Sequence, residues 1–554
     1  MATIDELASE LLSVVMSDDP IGASLLGIPG HDGLLPDFAE EAQRASVRKL
    51  AEIASRADEA PNDEVGETER QTLDFVRHTA SVMRDAGEVP LIEWTIAAFH
   101  AAPVASALAL LPKVPLDTDE RAEGYLTRLR KLPEMLEVAK RRHLNGIASG
   151  RTPVARLVRQ AIDQIDTIVT DASFGGMKRD RGSQDAAFDN EVARLVDEVA
   201  RPALTRYRDA LSDEVLGASR DDDRAGISWL PRGNEMYAAL CRLHTSTLRN
   251  PEDLHATGRA IIDQVEAEFA EVGSRLWGTS DAALTLARLR EDPALRYSDA
   301  AQMMELARRA VRRAEAAAPL WFGVVPEDPC AVEPLPEFEE PGTPAAYYLP
   351  GALDGARKGT FYVNTSRPKE RYLFLAEPVA FHEAVPGHHL QLTIAQDGKD
   401  LPMARRILFD TACAEGWGLY AERLADEMGL YSDDVARLGM LVTDAWRASR
   451  LVVDTGLHHL GWSREQAIEW MTEHTALPAL EIAIEVDRYI SYPAQALAYM
   501  VGRIELDALR ARAVSRLGDR FDVRAFHDHV LRIGPLPLSV LGDSVDRWIA
   551  LQTA

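Results

Sequence analysis

The sequence predicts a mainly α-helical protein of elongated, two-lobed form around a central cleft, with one small β-sheet. Three observations predict it. Ala, Leu, Arg and Glu dominate, and apolar residues recur at spacings of three and four, the period of amphipathic helices. At 554 residues, 46% of them hydrophobic, the chain exceeds what one compact core usually holds. One stretch, 326–350, breaks the helical pattern with seven prolines, Pro326, Pro329, Pro334, Pro336, Pro341, Pro344 and Pro350. The expected organisation is a helical N-terminal lobe over 1–325, the proline-rich connection over 326–350, and a helical C-terminal lobe over 351–554.

The elements follow in order. The stretch 121–145 reads as a helix, with Tyr125, Leu126 and Leu129 ahead of a bend at Pro133. The stretch 187–215 has the same period. So does 252–275, with Leu254, Ile261, Ile262, Val265, Phe269 and Val272. Two segments read as surface loops: Phe174 to Ser183, rich in Gly and charge, and Ser219 to Asn234, with an Asp run, Pro231 and Gly233. In and just after the proline-rich connection, Ala345–Leu349 and Thr360–Asn364 read as short strands. An exposed edge of that sheet could take an extended peptide by strand addition.

Composition excludes several roles. The net charge is −27, which repels nucleic acid and anionic membrane surfaces. No run of about 18 apolar residues predicts a membrane span. The N-terminus Met1-Ala2-Thr3-Ile4-Asp5-Glu6 lacks a basic segment followed by an apolar one, so the expected location is cytoplasmic. Cys241, Cys330 and Cys413 are odd in number and far apart, which argues against disulfides and against a cysteine metal site.

The chemistry concentrates in His382-Glu383-Ala384-Val385-Pro386-Gly387-His388-His389. In the H-E-x-x-H pattern of zinc hydrolases, two histidines four residues apart share a helical face and the glutamate is the general base. Here His388 comes six residues after His382, with Pro386-Gly387 between. A helix over 376–385 can hold His382 and Glu383 near its end, but Pro386 disfavours its continuation. In an unbroken helix His382 and His388 would face different ways, and His382 and His389 would stand about 10 Å apart along the axis. A break at Pro386-Gly387 could return His388 to the face of His382; His389 is the alternative. Catalytic zinc usually takes three protein ligands. The candidate third is Glu415, expected on the next helix, with Glu422 two turns on as a carboxylate supporting a metal ligand. Glu383 would then activate water.

Downstream, Arg447, Arg450, Asp454 and His458 fall on one helical stripe, followed by Glu485, Arg488, Tyr489, Tyr492, Gln495 and Tyr499. His458, Tyr489 and Tyr499 are candidate donors to an oxyanion. Arg450 and Arg488 are candidates to hold a peptide carboxylate. Tyr362 and Asn364 could line a substrate edge. A buried ion network and core tyrosines are the alternatives for this region.

Several segments resemble the DUF885 family, bacterial proteins named as a domain of unknown function. They are Phe361-Tyr362-Val363-Asn364-Thr365, His382 through Gln391, Glu415 through Glu422, Val453 through His458, and Arg488-Tyr489 through Gln495–Tyr499, with weaker echoes at Leu26-Gly27 and Pro535–Leu538. The resemblance covers nearly the whole chain. It implies a mainly helical architecture similar to gluzincin-type zinc peptidases, such as the oligopeptidase and angiotensin-converting-enzyme groups. By that likeness His382, His388 and Glu415 hold one zinc and Glu383 is the base. The expectation is a zinc-dependent peptidase of short peptides, monomeric or homodimeric. The alternatives are a peptide-binding or scaffold protein with a degenerate site, and a metal-dependent hydrolase of non-peptide amides or esters.

Overall fold

The computed structural model describes residues 3–60, 65–98, 102–171, 186–335, 345–351 and 357–553. The protein is mainly α, with one three-stranded sheet among the described residues. The helix expected around 121–145 runs Asp119–Ala148, starts at the Thr118 side chain and continues through Pro133. The stretch 187–215 is helical throughout, but widens to one-turn π segments at Val196–Ala200 and Leu211–Val215. Pro202 follows the first of these, where its missing N–H breaks the regular ladder. Helix α1, Pro251–Trp277, has clear boundaries: Asn250 caps its first turn, and Gly278 ends it at φ +69°. Of the two expected loops, Phe174–Ser183 lies outside the described residues. Ser219–Asn234 holds two short 3₁₀ turns before a helix opens at Gly233.

The sheet comprises β1 (Ala331–Pro334), β2 (Ala346–Leu349) and β3 (Thr360–Val363), in the order β1-β3-β2. β1 runs parallel to β3, and β2 antiparallel, with Tyr347 opposite Tyr362. β1 was not legible in the sequence: it is four residues long and ends on a proline, which only an edge strand tolerates. Tyr362 lies in β3 and Asn364 just after it, so the strand addition expected of an exposed edge falls to β1 or β2. β3 is the central strand, and both of its sides are paired.

Helix α2 (Ala376–Glu383) follows the sheet, then α3 (His388–Asp397), α4 (Thr411–Glu427), α5 (Asp434–His458), α6 (Ala479–Ser491) and α7 (Ala498–Leu517). α5 is buried on every side from Leu438 to Ala445 and from Arg447 to His458, the signature of a helix inside the core. Gly258 of α1 lets the two helices close up, since a Cβ there would meet the Leu451 and Val452 side chains at 2.8 Å. The largest apolar core draws residues from both sides of the proline-rich connection, from Leu7 and Phe75 to Phe526 and Ile549. A second core is confined to the region between Ile21 and Val215.

Candidate metal centre

α2 ends at Glu383, and a turn over Val385–Gly387 starts α3 at His388. Gly387 makes this restart possible. It lies against the last carbonyls of α2, where a Cβ would overlap the carbonyl oxygens of Phe381 and His382. Trp417 of α4, fully buried, pins the turn by donating its indole N–H to the Pro386 carbonyl at 2.8 Å. The result sets the His382 and His388 rings nearly perpendicular, with centroids 4.7 Å apart.

Glu415 meets them from α4. Its Oε2 lies 3.5 Å from Nε2 of His382 and 3.5 Å from Nε2 of His388. All three ligand atoms fall within 4.8 Å of one another. Donors about 2.0–2.2 Å from a tetrahedral zinc stand roughly 3.4 Å apart, so this set fits such an ion. Glu415 is not on the next helix after the motif, as expected; α3 and a short helix at Met403–Ile407 intervene. His389 does not join this cluster: its Nε2 lies 3.1 Å from the Asp328 carbonyl and its Nδ1 3.1 Å from the Tyr348 hydroxyl.

The surroundings of the three groups are specific. Nδ1 of His382 bonds Oε1 of the fully buried Glu422 at 2.8 Å, and the other Glu422 oxygen accepts the Thr443 hydroxyl. Glu415 and Glu422, seven residues apart on α4, thus take opposite nitrogens of one imidazole. Burial opposes charge on His382, but the hydrogen bonds to Glu415 and Glu422 outweigh it and raise its pKa to about 9. Burial likewise opposes charge on Glu415, yet the His382 and His388 rings hold it well below the usual carboxylate range. The carboxylates thus favour positive charge on the His382 ring between them. Nδ1 of His388 is buried with no hydrogen-bond partner among the described residues.

The Gly-Trp-Gly of α4, poor for a helix interior by propensity, has a role at each position. A Cβ at Gly416 would overlap the backbone of Gly502 on α7, so the two helices cross in contact there. A Cβ at Gly418 would stand 2.6–2.9 Å from three atoms of the His382 ring. The crossing brings Tyr499, three residues before Gly502, to the cluster: its ring lies 6.5 Å from that of His382 and near parallel to it. Burial raises the Tyr499 pKa, and the Glu415 charge adds to that. Glu383 is half-buried and makes no hydrogen bond among the described residues.

The other candidates are engaged with other groups. His458 is fully buried; its Nδ1 accepts the Ile227 N–H at 3.2 Å, and its Nε2 donates to the Tyr489 carbonyl at 3.0 Å. With both nitrogens engaged by backbone, it has none to offer a substrate. Nor does it bond Asp454, which takes the Tyr237 hydroxyl at 2.5 Å and the Ala494 N–H. The Tyr489 hydroxyl accepts from Trp446 and Arg450, each at 3.1 Å, and serves Arg450. Arg450 stacks on Tyr499, its guanidinium 4.4 Å from the ring, while Arg488 bonds Glu485 and Gln495. Tyr362 packs on Tyr347 at 5.3 Å, and Asn364, nearly fully buried, receives the Ser366 N–H and hydroxyl. Thr443 and Gly502 escaped the sequence reading; the glycines of α4 were the one local signal of close packing.

The chain matches the family model described as "Bacterial protein of unknown function (DUF885)" over residues 20–545. Curated proteins give no match. Among solved structures it is similar to "the putative lipoprotein from Colwellia psychrerythraea", at TM-score 0.90 and 25% identity, covering 100% of both chains. It is also similar to "a putative lipoprotein of unknown function from Shewanella oneidensis", at TM-score 0.78 and 18% identity, covering 98% of this chain and 99% of that one. Sharing its motifs and nearly its whole length with the family model, the chain belongs to the DUF885 family.

Proposed function

We propose that the protein is a zinc-dependent peptidase of short peptides. The observation that supports this best is the convergence of His382, His388 and Glu415 beside Glu383, from three helices. A zinc ion held by the three would act as a Lewis acid that acidifies water and polarises a carbonyl. Glu383, next to His382 and unencumbered by hydrogen bonds, takes the proton from the attacking water and passes it to the leaving amine. Tyr499 donates its hydroxyl to the oxyanion as the tetrahedral intermediate forms. Glu422 fixes the orientation of the His382 ring, and Trp417 the turn that delivers His388.

The test is stoichiometric metal analysis together with hydrolysis of a short-peptide panel, before and after chelation and with Glu383→Gln. The expected result is about one zinc per chain, turnover abolished by chelator and restored by zinc, and a Glu383→Gln variant that keeps zinc and loses turnover. A chain that neither binds added zinc nor cleaves any peptide overturns the proposal. A cytoplasmic location belongs to the same proposal; recovery in the membrane fraction of the native host would overturn that part.

A further inference from the structure

The arginines next to Tyr499 are unequally engaged. Arg447 and Arg450, one turn apart on α5, both stack on Trp446, with guanidinium carbons 4.4 and 4.6 Å from the indole. They are 7% and 3% exposed. Arg450 spends Nε on the Tyr489 hydroxyl and Nη2 on Glu485, which leaves Nη1 buried without an acceptor among the described residues. Arg447 leaves both Nε and Nη1 buried without one among the described residues. A charged donor out of water with no acceptor is costly, and three of them lie on two adjacent side chains.

The local charge does not cancel either. Glu485 alone pairs with both Arg450 and Arg488. Glu481, the next acid on α6, forms no ion pair among the described residues; burial and Glu485 push its pKa up to about 7, against the pull of Arg371, Arg447 and Arg450. The excess is positive, and it lies beside the metal cluster. The Arg450 guanidinium is 4.4 Å from the Tyr499 ring, which is 6.5 Å from the His382 ring. The two ends of that path are within about 11 Å, or roughly three extended residues.

We infer that Arg447 and Arg450 form a carboxylate subsite that seats the C-terminal carboxylate of the peptide and places the scissile bond within its last residues. This rests on the peptide reading above and sharpens it to cleavage near the C-terminus. The free Nε and Nη1 of Arg447 lie on different edges of its guanidinium, so each offers a carboxylate one charge-assisted hydrogen bond, with Nη1 of Arg450 as a third donor. Arg488, a sequence candidate for this role, is instead a positioning residue that holds Glu485 against Arg450.

The experiment is calorimetric binding to full-length Glu383→Gln protein with zinc added, using mixtures of N-acetylated tripeptides without acidic side chains, as free acids or as C-terminal amides. The free acids are expected to bind roughly 10- to 100-fold more tightly, as charge-assisted hydrogen bonds allow. Arg447→Gln is expected to reduce that preference to about threefold or less, the loss falling mainly on the free acids. Arg447 is the safer substitution, because its Nε and Nη1 make no bond to lose; the comparison on unsubstituted arginines decides the matter if the variant fails to fold. Equal or undetectable binding of both mixtures overturns the subsite, as does a preference that survives Arg447→Gln. Amidated peptides with an acidic side chain that bind like the free acids overturn the assignment to the C-terminus. Hydrolysis by the unsubstituted protein separates the two claims. Cleavage of amides as fast as acids leaves the peptidase standing without this subsite, and an acid preference without cleavage leaves the subsite standing without the peptidase.

Discussion

Replacing Gly418 with alanine drives a methyl group into the His382 ring. A Cβ at 418 stands 2.6 Å from Cε1 and 2.7 Å from Nε2 of His382. Carbon contacts settle at about 3.5–4 Å, so the ring or the helix must yield by roughly 1 Å. The ring has little room, because Nδ1 is held at 2.8 Å by the buried Glu422. Metal sites hold ligand distances to about 0.2 Å, so a displacement of this size should cost most of one ligand. The expected loss is about 100-fold in zinc affinity, near 2.7 kcal/mol. Helix propensity pulls the other way: alanine in place of an interior glycine stabilises a helix by about 1 kcal/mol. The two ideas therefore predict opposite outcomes. The assay is zinc competition against a chromophoric chelator, with far-UV circular dichroism and a melting curve on the metal-free protein. A Gly418→Ala protein that melts higher and binds zinc within about twofold of the parent refutes the steric argument.

Three more outcomes follow from the geometry. Glu422→Gln should keep the fold but weaken zinc binding about 10- to 100-fold, because His382 loses the carboxylate that orients it; the same chelator competition reads it. His389→Ala should leave zinc affinity within about twofold of the parent, since His389 bonds Tyr348 and the Asp328 carbonyl instead; loss of zinc would make His389 the ligand after all. The folded pKa of His382, about 9, lies above its ordinary value of 6.5. Its contribution to stability is thus complete below about pH 6.5 and is lost as pH rises through 9. Melting curves of metal-free protein should fall across that interval, and zinc affinity should rise as the competing proton leaves; a flat profile in both would contradict the carboxylate–imidazole arrangement.

The sequence displayed its local signals faithfully. The period of α1 is written in Leu254, Ile262, Val265, Phe269 and Val272, and its ends in Asn250 and Gly278. Residues 345–349 and 360–364 showed as strands because branched and aromatic side chains cluster there. The site was legible in part: Pro386 says that a helix cannot pass from His382 to His388, and the Glu415–Glu422 spacing puts two carboxylates on one helical face. His458 misled for a physical reason. A polar stripe on a helix looks the same whether it faces a cavity or, as here, the backbone of Ile227 and Tyr489.

By itself, then, the sequence determined the helical class, the break in the motif and the residue types able to bind a metal. Those depend on backbone sterics and side-chain chemistry, which act over a few residues. The tertiary structure alone decided that His388 rather than His389 meets His382 and Glu415, because that placement rests on Gly387 seated on the end of α2 and on Trp417 reaching across to Pro386. It also decided which polar groups lie together, because Tyr499 reaches His382 through the Gly416–Gly502 crossing of two helices distant in the chain. No local pattern encodes a contact whose closeness is set by packing between helices so far apart in sequence.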